Sequence, residues 1–277
     1  MEFGIHMEKH KIDYKGLEGL YDAAREGSGG ICRTECALLE ESISASFSMF
    51  FSLEGKEKLD DRRQYLLALF YRNCVYLSAS YRLVREGMLD PAGNNMRTVF
   101  ETIIWQYAYL TDDGVYSNYR EMAVLDDEKL GLIKGGKWSN TKERALENLR
   151  RKYSFQKMLK ALYSKEHYER LFYSQYWAFC QKSHSSIFGI NHNTPTMGMG
   201  TTLDSSAGEL RGNLSAALYL SAENITCFLN CFSQLLPQER IDGALATLNG
   251  INRSIPPSLS LAPDTKALPF QLKFREV

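Results

Sequence analysis

Neither charge sign dominates this chain, since 33 basic and 33 acidic residues cancel across 277. No global field draws the whole protein to nucleic acid or to an anionic membrane, so any such binding must use a local patch. Cysteine is scarce: Cys32, Cys36, Cys74, Cys180, Cys227 and Cys231 do not resemble a secreted disulfide framework, which predicts reduced thiols and a cytoplasmic protein. Only seven prolines occur, and four of them, Pro256, Pro257, Pro263 and Pro269, fall in the last stretch. That stretch, 251–277, is therefore expected to be extended rather than helical.

Long apolar runs are missing as well. The least charged segment, Gly212 to Leu236, carries Glu223, Asn213, Asn224 and Asn230, too polar for a lipid-spanning helix, and it reads as a central soluble helix without membrane contact. The opening residues MEFGIHM lack the basic start and apolar core of a signal peptide, and 1–7 reads as a cloning remnant. Also absent are ExxH, HExxH, GxxxxGK[ST], GxGxxG and GxSxG, so di-iron, zinc-protease, nucleotide-hydrolysing and serine-hydrolase chemistry lack support. The CxxxC pairs Cys32/Cys36 and Cys227/Cys231 lack a tight zinc knuckle and read as packing thiols. Neither a metal nor a cofactor is expected.

What is present is helical periodicity. The spacing predicts an all-α, multi-helix bundle with long helices near 34–53, 62–86, 92–111, 166–186 and 206–236. Thr34 is the expected cap of the first helix, Gly87 closes the second, and Pro91 sits in the first turn of the third. The second and third should form an antiparallel hairpin. Ser205 or Ser206 caps the last helix, and the aromatics Tyr168, Phe172, Tyr176 and Phe179 should pack their helix on the bundle. Residues 1–30 form a flexible segment, 31–250 a single helical domain, and 112–165 a charged peripheral insert. One short strand is expected in KALPFQLKF.

Between Asp90 and Asp112 the only charges are Arg97 and Glu101, about 40° apart on a helix because four residues advance the chain a little over one turn. In so apolar a segment both are expected to be buried and to need partners. Arg72, Arg82 and Glu223 are isolated polar groups on neighbouring helices. If they converge on Arg97 and Glu101, the network could grip a small anion or tune a general acid; otherwise the pair is a salt bridge that fixes helix register. His184, flanked by Ser183 and Ser185 in QKSHSS, is the candidate acid, base or phosphate ligand at a helix end. The run KERALENLRRKYSFQKMLKALYSK sets Arg150, Arg151, Lys152, Lys157 and Lys160 among aromatics, as a nucleic-acid-binding helix does, although Glu143 and Glu147 dilute it toward an ordinary solvated face.

The segment Tyr76 to Leu110, with its RxxxE pair after a turn, resembles a prokaryotic helical-bundle family of uncharacterised proteins set near the HEPN group. His184 in its SHSS context is similar to that family's histidine. The resemblance implies a stress or defence setting and marks Arg97, Glu101 and His184 as catalytic candidates. The HEPN ribonuclease pattern, an arginine four to six residues before a histidine, does not occur in this chain. A metal-independent ribonuclease would need folding to bring Arg97 and His184 together. Three readings follow: a ligand- or partner-binding protein, taking RNA or a small anion; a HEPN-like ribonuclease; and a homo-oligomeric scaffold.

Overall fold

Burial of apolar helix faces organises the chain, and in a computed structural model residues 32–53, 59–133, 137–183, 207–256 and 258–271 are described. Among them the fold is all-α, with no strand. Helices α1 (Arg33–Ser52), α2 (Asp61–Arg85), α3 (Leu89–Thr111) and α9 (Ala207–Phe232) form the central bundle, in which α9 packs on each of the other three. Helix α10 (Gln238–Ser254) returns along α1. Between α3 and α9 run α4 (Asp113–Lys129), α5 (Asn140–Lys152), α6 (Phe155–Leu162) and α7 (Lys165–Arg170), then a π-helical stretch (Leu171–Tyr176) and α8 (Trp177–Ser183), which lies against α3.

Local chemistry accounts for the boundaries. Asp60 caps α2 by accepting the Arg63 N–H at 2.8 Å, and Asp112 caps α4 through the N–H groups of Gly114 and Val115. At the α2–α3 turn the Met88 N–H reaches Leu83 O at 2.8 Å and the Gly87 N–H reaches Val84 O at 3.0 Å. This Schellman closure needs the left-handed backbone that Gly87 supplies at φ 74°. Helix α3 starts three residues earlier than expected because Pro91 fits its first turn. Thr34 lies inside α1, whose N-cap is Cys32 with no side-chain cap bond, so that expected cap is corrected. The caps expected at Ser205 or Ser206 lie outside the described residues.

The charged insert is peripheral only in part. Helices α4 and α5 are joined by Lys129–Glu143, Lys142–Glu128 and Arg150–Asp126 ion pairs at the surface, whereas α6 drives Met158, Leu159 and Leu162 into the core. The tail also departs from expectation. Ile251–Ser254 complete α10, and no strand forms in the described part of KALPFQLKF. The described residues 255–256 and 258–271 form an irregular strap whose Ile255, Leu261 and Ala262 are buried.

Candidate functional site

Arg97 and Glu101 do pair, with Arg97 Nε donating to Glu101 Oε1 at 2.8 Å, and the π-helical stretch adds Tyr176. Its hydroxyl donates to Glu101 Oε1 at 3.0 Å and lies 3.2 Å from an Arg97 terminal nitrogen, while the guanidinium sits 5.5 Å above the ring. Burial and the Glu101 carboxylate push the Tyr176 phenol up from its ordinary pKa. The expectation of a sealed pair is overturned, because the Arg97 and Glu101 side chains keep 25% and 33% of their surface exposed. Phe100 and Ile104 face inward, whereas this edge of α3 looks outward past Trp105. Arg97→Ala is therefore expected to cost about 1–2 kcal/mol, below the figure for breaking a buried pair, because water can solvate the remaining carboxylate. Urea denaturation measures it.

The five polar groups proposed as one cluster divide among separate places. Arg72 is exposed, 5.3 Å above the Tyr76 ring, and shares with Glu101 a groove of about 190 Å³ walled by Trp105, Tyr109 and Tyr119. Arg82 is exposed on α2 and is absent from that groove. Glu223 sits instead near Tyr107, ten residues and so about 15 Å along α3 from Arg97. The convergence of Arg82 and Glu223 on Arg97 is thus corrected. His184 and Ser185 lie outside the described residues; Ser183 ends α8, and its side chain is likewise outside them.

Glu223 is fully buried, and its Oε1 accepts the Leu261 N–H of the strap at 2.8 Å. Burial raises its carboxyl to about 8, against the lowering effect of the Leu261 N–H and of the Ser260 and Tyr107 hydroxyls. Glu223 is thereby largely a neutral acid at pH 7. Tyr107 lies close enough to act on it electrostatically, yet neither Tyr107 Oη nor Glu223 Oε2 has a partner at hydrogen-bonding geometry among the described residues. The surrounding helices satisfy the strap's backbone with side chains. Tyr163 donates to Leu261 O at 2.6 Å, Tyr219 lies 2.7 Å from Leu259 O, and His167 Nε2 lies 2.8 Å from Ser260 O. The Ser164 N–H reaches Asp264 Oδ1 at 2.8 Å, and the Ser164 hydroxyl, also bonded to Asp264, caps α7.

The strap in turn walls a cleft of about 590 Å³ between α8 and α9. Met96, Ala178, Phe179 and Ala216 give it an apolar floor, while Ser174, Gln175, Asn213 and Ser258 bring amides and hydroxyls to its edge. Arg211 stands at one end, its Nε 3.0 Å from Glu35 Oε1. Ser174 and Gln175 belong to the π-helical stretch, whose wider turn re-aims successive side chains: Tyr173 outward, Ser174 and Gln175 to this cleft, Tyr176 to Arg97. Such turns recur at functional sites. A deeper polar network, with Asn73 Nδ2 at 2.9 Å from Gln106 Oε1 and 3.0 Å from Asn224 Oδ1, ties α2, α3 and α9 together without reaching this cleft.

The basic run does not present one continuous face. Arg150 is engaged by Asp126 and Arg151 by Glu147 at 3.7 Å, whereas Lys152 lies over Tyr153, Lys157 is exposed and Lys160 lies over Tyr168. No group of three or more metal-binding side chains occurs among the described residues, and all six cysteines are free thiols. No described helix is long and apolar enough to cross a membrane. Comparison with family models, with curated proteins and with solved structures yields no match.

Proposed function

We propose that this chain is a helical binding protein for a small, largely uncharged amphipathic molecule, held in the cleft between α8 and α9. The observation that carries the reading is one concavity lined both by apolar side chains and by residues bearing amides and hydroxyls, at a size suited to small ligands. The π-helical wall supports it, since an irregular turn is retained where its side chains are needed. Free thiols support a reducing, cytoplasmic compartment. The stress or defence setting rests on the likeness of the α2–α3 hairpin to the HEPN-associated bundles.

Ala216→Trp fills the cleft from α9, where Ala216 is only partly buried, and so should leave folding nearly unchanged. N-Benzylacetamide and 1-decanol, titrated by calorimetry into wild type, should bind and lose at least tenfold in affinity in the variant. Equal affinity in both proteins would remove the cleft from the account. The ribonuclease reading places Arg97 on a phosphate and His184 as proton carrier; metal-free cleavage of an end-labelled RNA pool, lost in Arg97→Lys, would put it first. Homo-oligomeric scaffolding has one observation in its favour, the exposed Phe51, Tyr71 and Val75 on adjoining faces of α1 and α2. Sedimentation across a hundredfold concentration range reads that directly.

A further inference from the structure

Lys160, on α6, and Lys165, at the start of α7, differ from the lysines of the α4–α5 hairpin. Neither has a carboxylate partner among the described residues, and both line a cleft of about 440 Å³ between α6 and α7. Its aromatic wall is held in place. Gln156 Nε2 donates to Tyr168 Oη at 3.0 Å, Phe172 stacks on the Tyr168 ring at 5.6 Å, and the Lys160 ammonium lies 5.3 Å above that ring. Tyr173, 65% exposed on the π-helical stretch, offers a second ring at the mouth. Tyr168 is itself buried under Phe172 and Lys160, so Tyr173 is the ring with a face open to a stacked planar partner, and lysine ammoniums suit a phosphate as compact point charges.

We propose that the α6–α7 cleft is a second binding site, taking a planar aromatic phosphate of about the size of a nucleoside monophosphate. Glu169 is the one carboxylate among the lining residues, unpaired with either lysine, so the lining keeps a net positive charge and an acceptor for a ligand hydroxyl or amine. A bare phosphate gains the lysines but leaves Tyr173 unused, and an uncharged ring gains Tyr173 but leaves the lysines unused. The site is separate from the α8–α9 cleft: consecutive residues Tyr173 and Ser174 serve one each. Its existence does not depend on what the larger cleft binds.

The test uses the full chain and calorimetric titration with adenosine monophosphate, uridine monophosphate and phenyl phosphate, beside adenosine and inorganic phosphate. At least one aromatic phosphate should bind ten times or more tightly than inorganic phosphate and than adenosine, with affinity falling as salt rises. Lys160→Gln combined with Lys165→Gln should weaken it at least tenfold at unchanged melting temperature, and Tyr173→Ala should weaken it with the salt dependence kept. Asn213→Leu, in the other cleft, should leave it unaltered. Aromatic phosphates that bind no better than inorganic phosphate, or a double lysine variant that binds like wild type, would overturn the site.

Discussion

Glu223→Gln is expected to make the protein more stable than wild type at pH 8–9, and to flatten its stability across pH 5–9. The buried carboxyl is raised to about 8 from an ordinary 4.5, chiefly by desolvation. Because the folded value lies above the unfolded one, the stability linked to the bound proton is fully present below about pH 4.5 and is lost as pH rises through about 8. A shift of that size is linked to roughly 3–5 kcal/mol between the two limits. Glutamine keeps the acceptor for the Leu261 N–H, stays neutral throughout, and can offer its amide N–H to Tyr107 Oη, which has no partner among the described residues. Urea titrations at pH 5, 7 and 9 should show wild type losing stability with pH while the variant holds level; parallel profiles would contradict a protonated Glu223. Glu223→Ala should cost about 3–5 kcal/mol at pH 6, through a cavity and an orphaned strap amide.

Leu261→Asp should release the strap. Leu261 is wholly buried, so a carboxylate in its place would be taken out of water on a residue whose backbone N–H already meets Glu223. The penalty is expected at about 3–5 kcal/mol, enough for the strap to leave the core rather than bury the charge. No helix occurs beyond Ser254 among the described residues, so far-ultraviolet circular dichroism should change little while residues 258–271 become open to protease and to amide exchange. Since Pro256 and Ser258 wall the α8–α9 cleft, ligand affinity there should fall with the same substitution. Loss of all helical signal together would instead mean that the strap and bundle unfold as one unit.

Helix class and most long-helix boundaries follow from local periodicity, which is why α1, α2, α3 and the later aromatic helix are legible from residue types. Helix α10 is legible only in hindsight: Ala244, Leu248 and Ile251 recur at helical spacing, but Pro237, Gly243 and Gly250 interrupt the signal and blur it into the tail. The burial of Arg97 and Glu101 was the wrong inference from a right helix, since an apolar segment sets how much surface is hidden, not which edge stays wet. Glu223 is visible as the lone charge between Gly212 and Leu236, yet its partner Leu261 lies 38 residues on in a strap with no periodic pattern. The π-helical stretch has no local marker in LFYSQY, and Tyr176 meets Arg97 across 79 residues. Long-range pairing of this kind is fixed by packing, which a one-dimensional pattern does not encode.

Methyl-resolved NMR of the full chain during titration with N-benzylacetamide and 1-decanol tests the central claim most directly. The account predicts saturable shifts at Met96, Ala178 and Ala216 of the α8–α9 cleft, with the methyls of Leu66, which packs at Gln106 further along α3, unmoved. Shifts absent from those three residues at saturation, or spread evenly over the bundle, would contradict it.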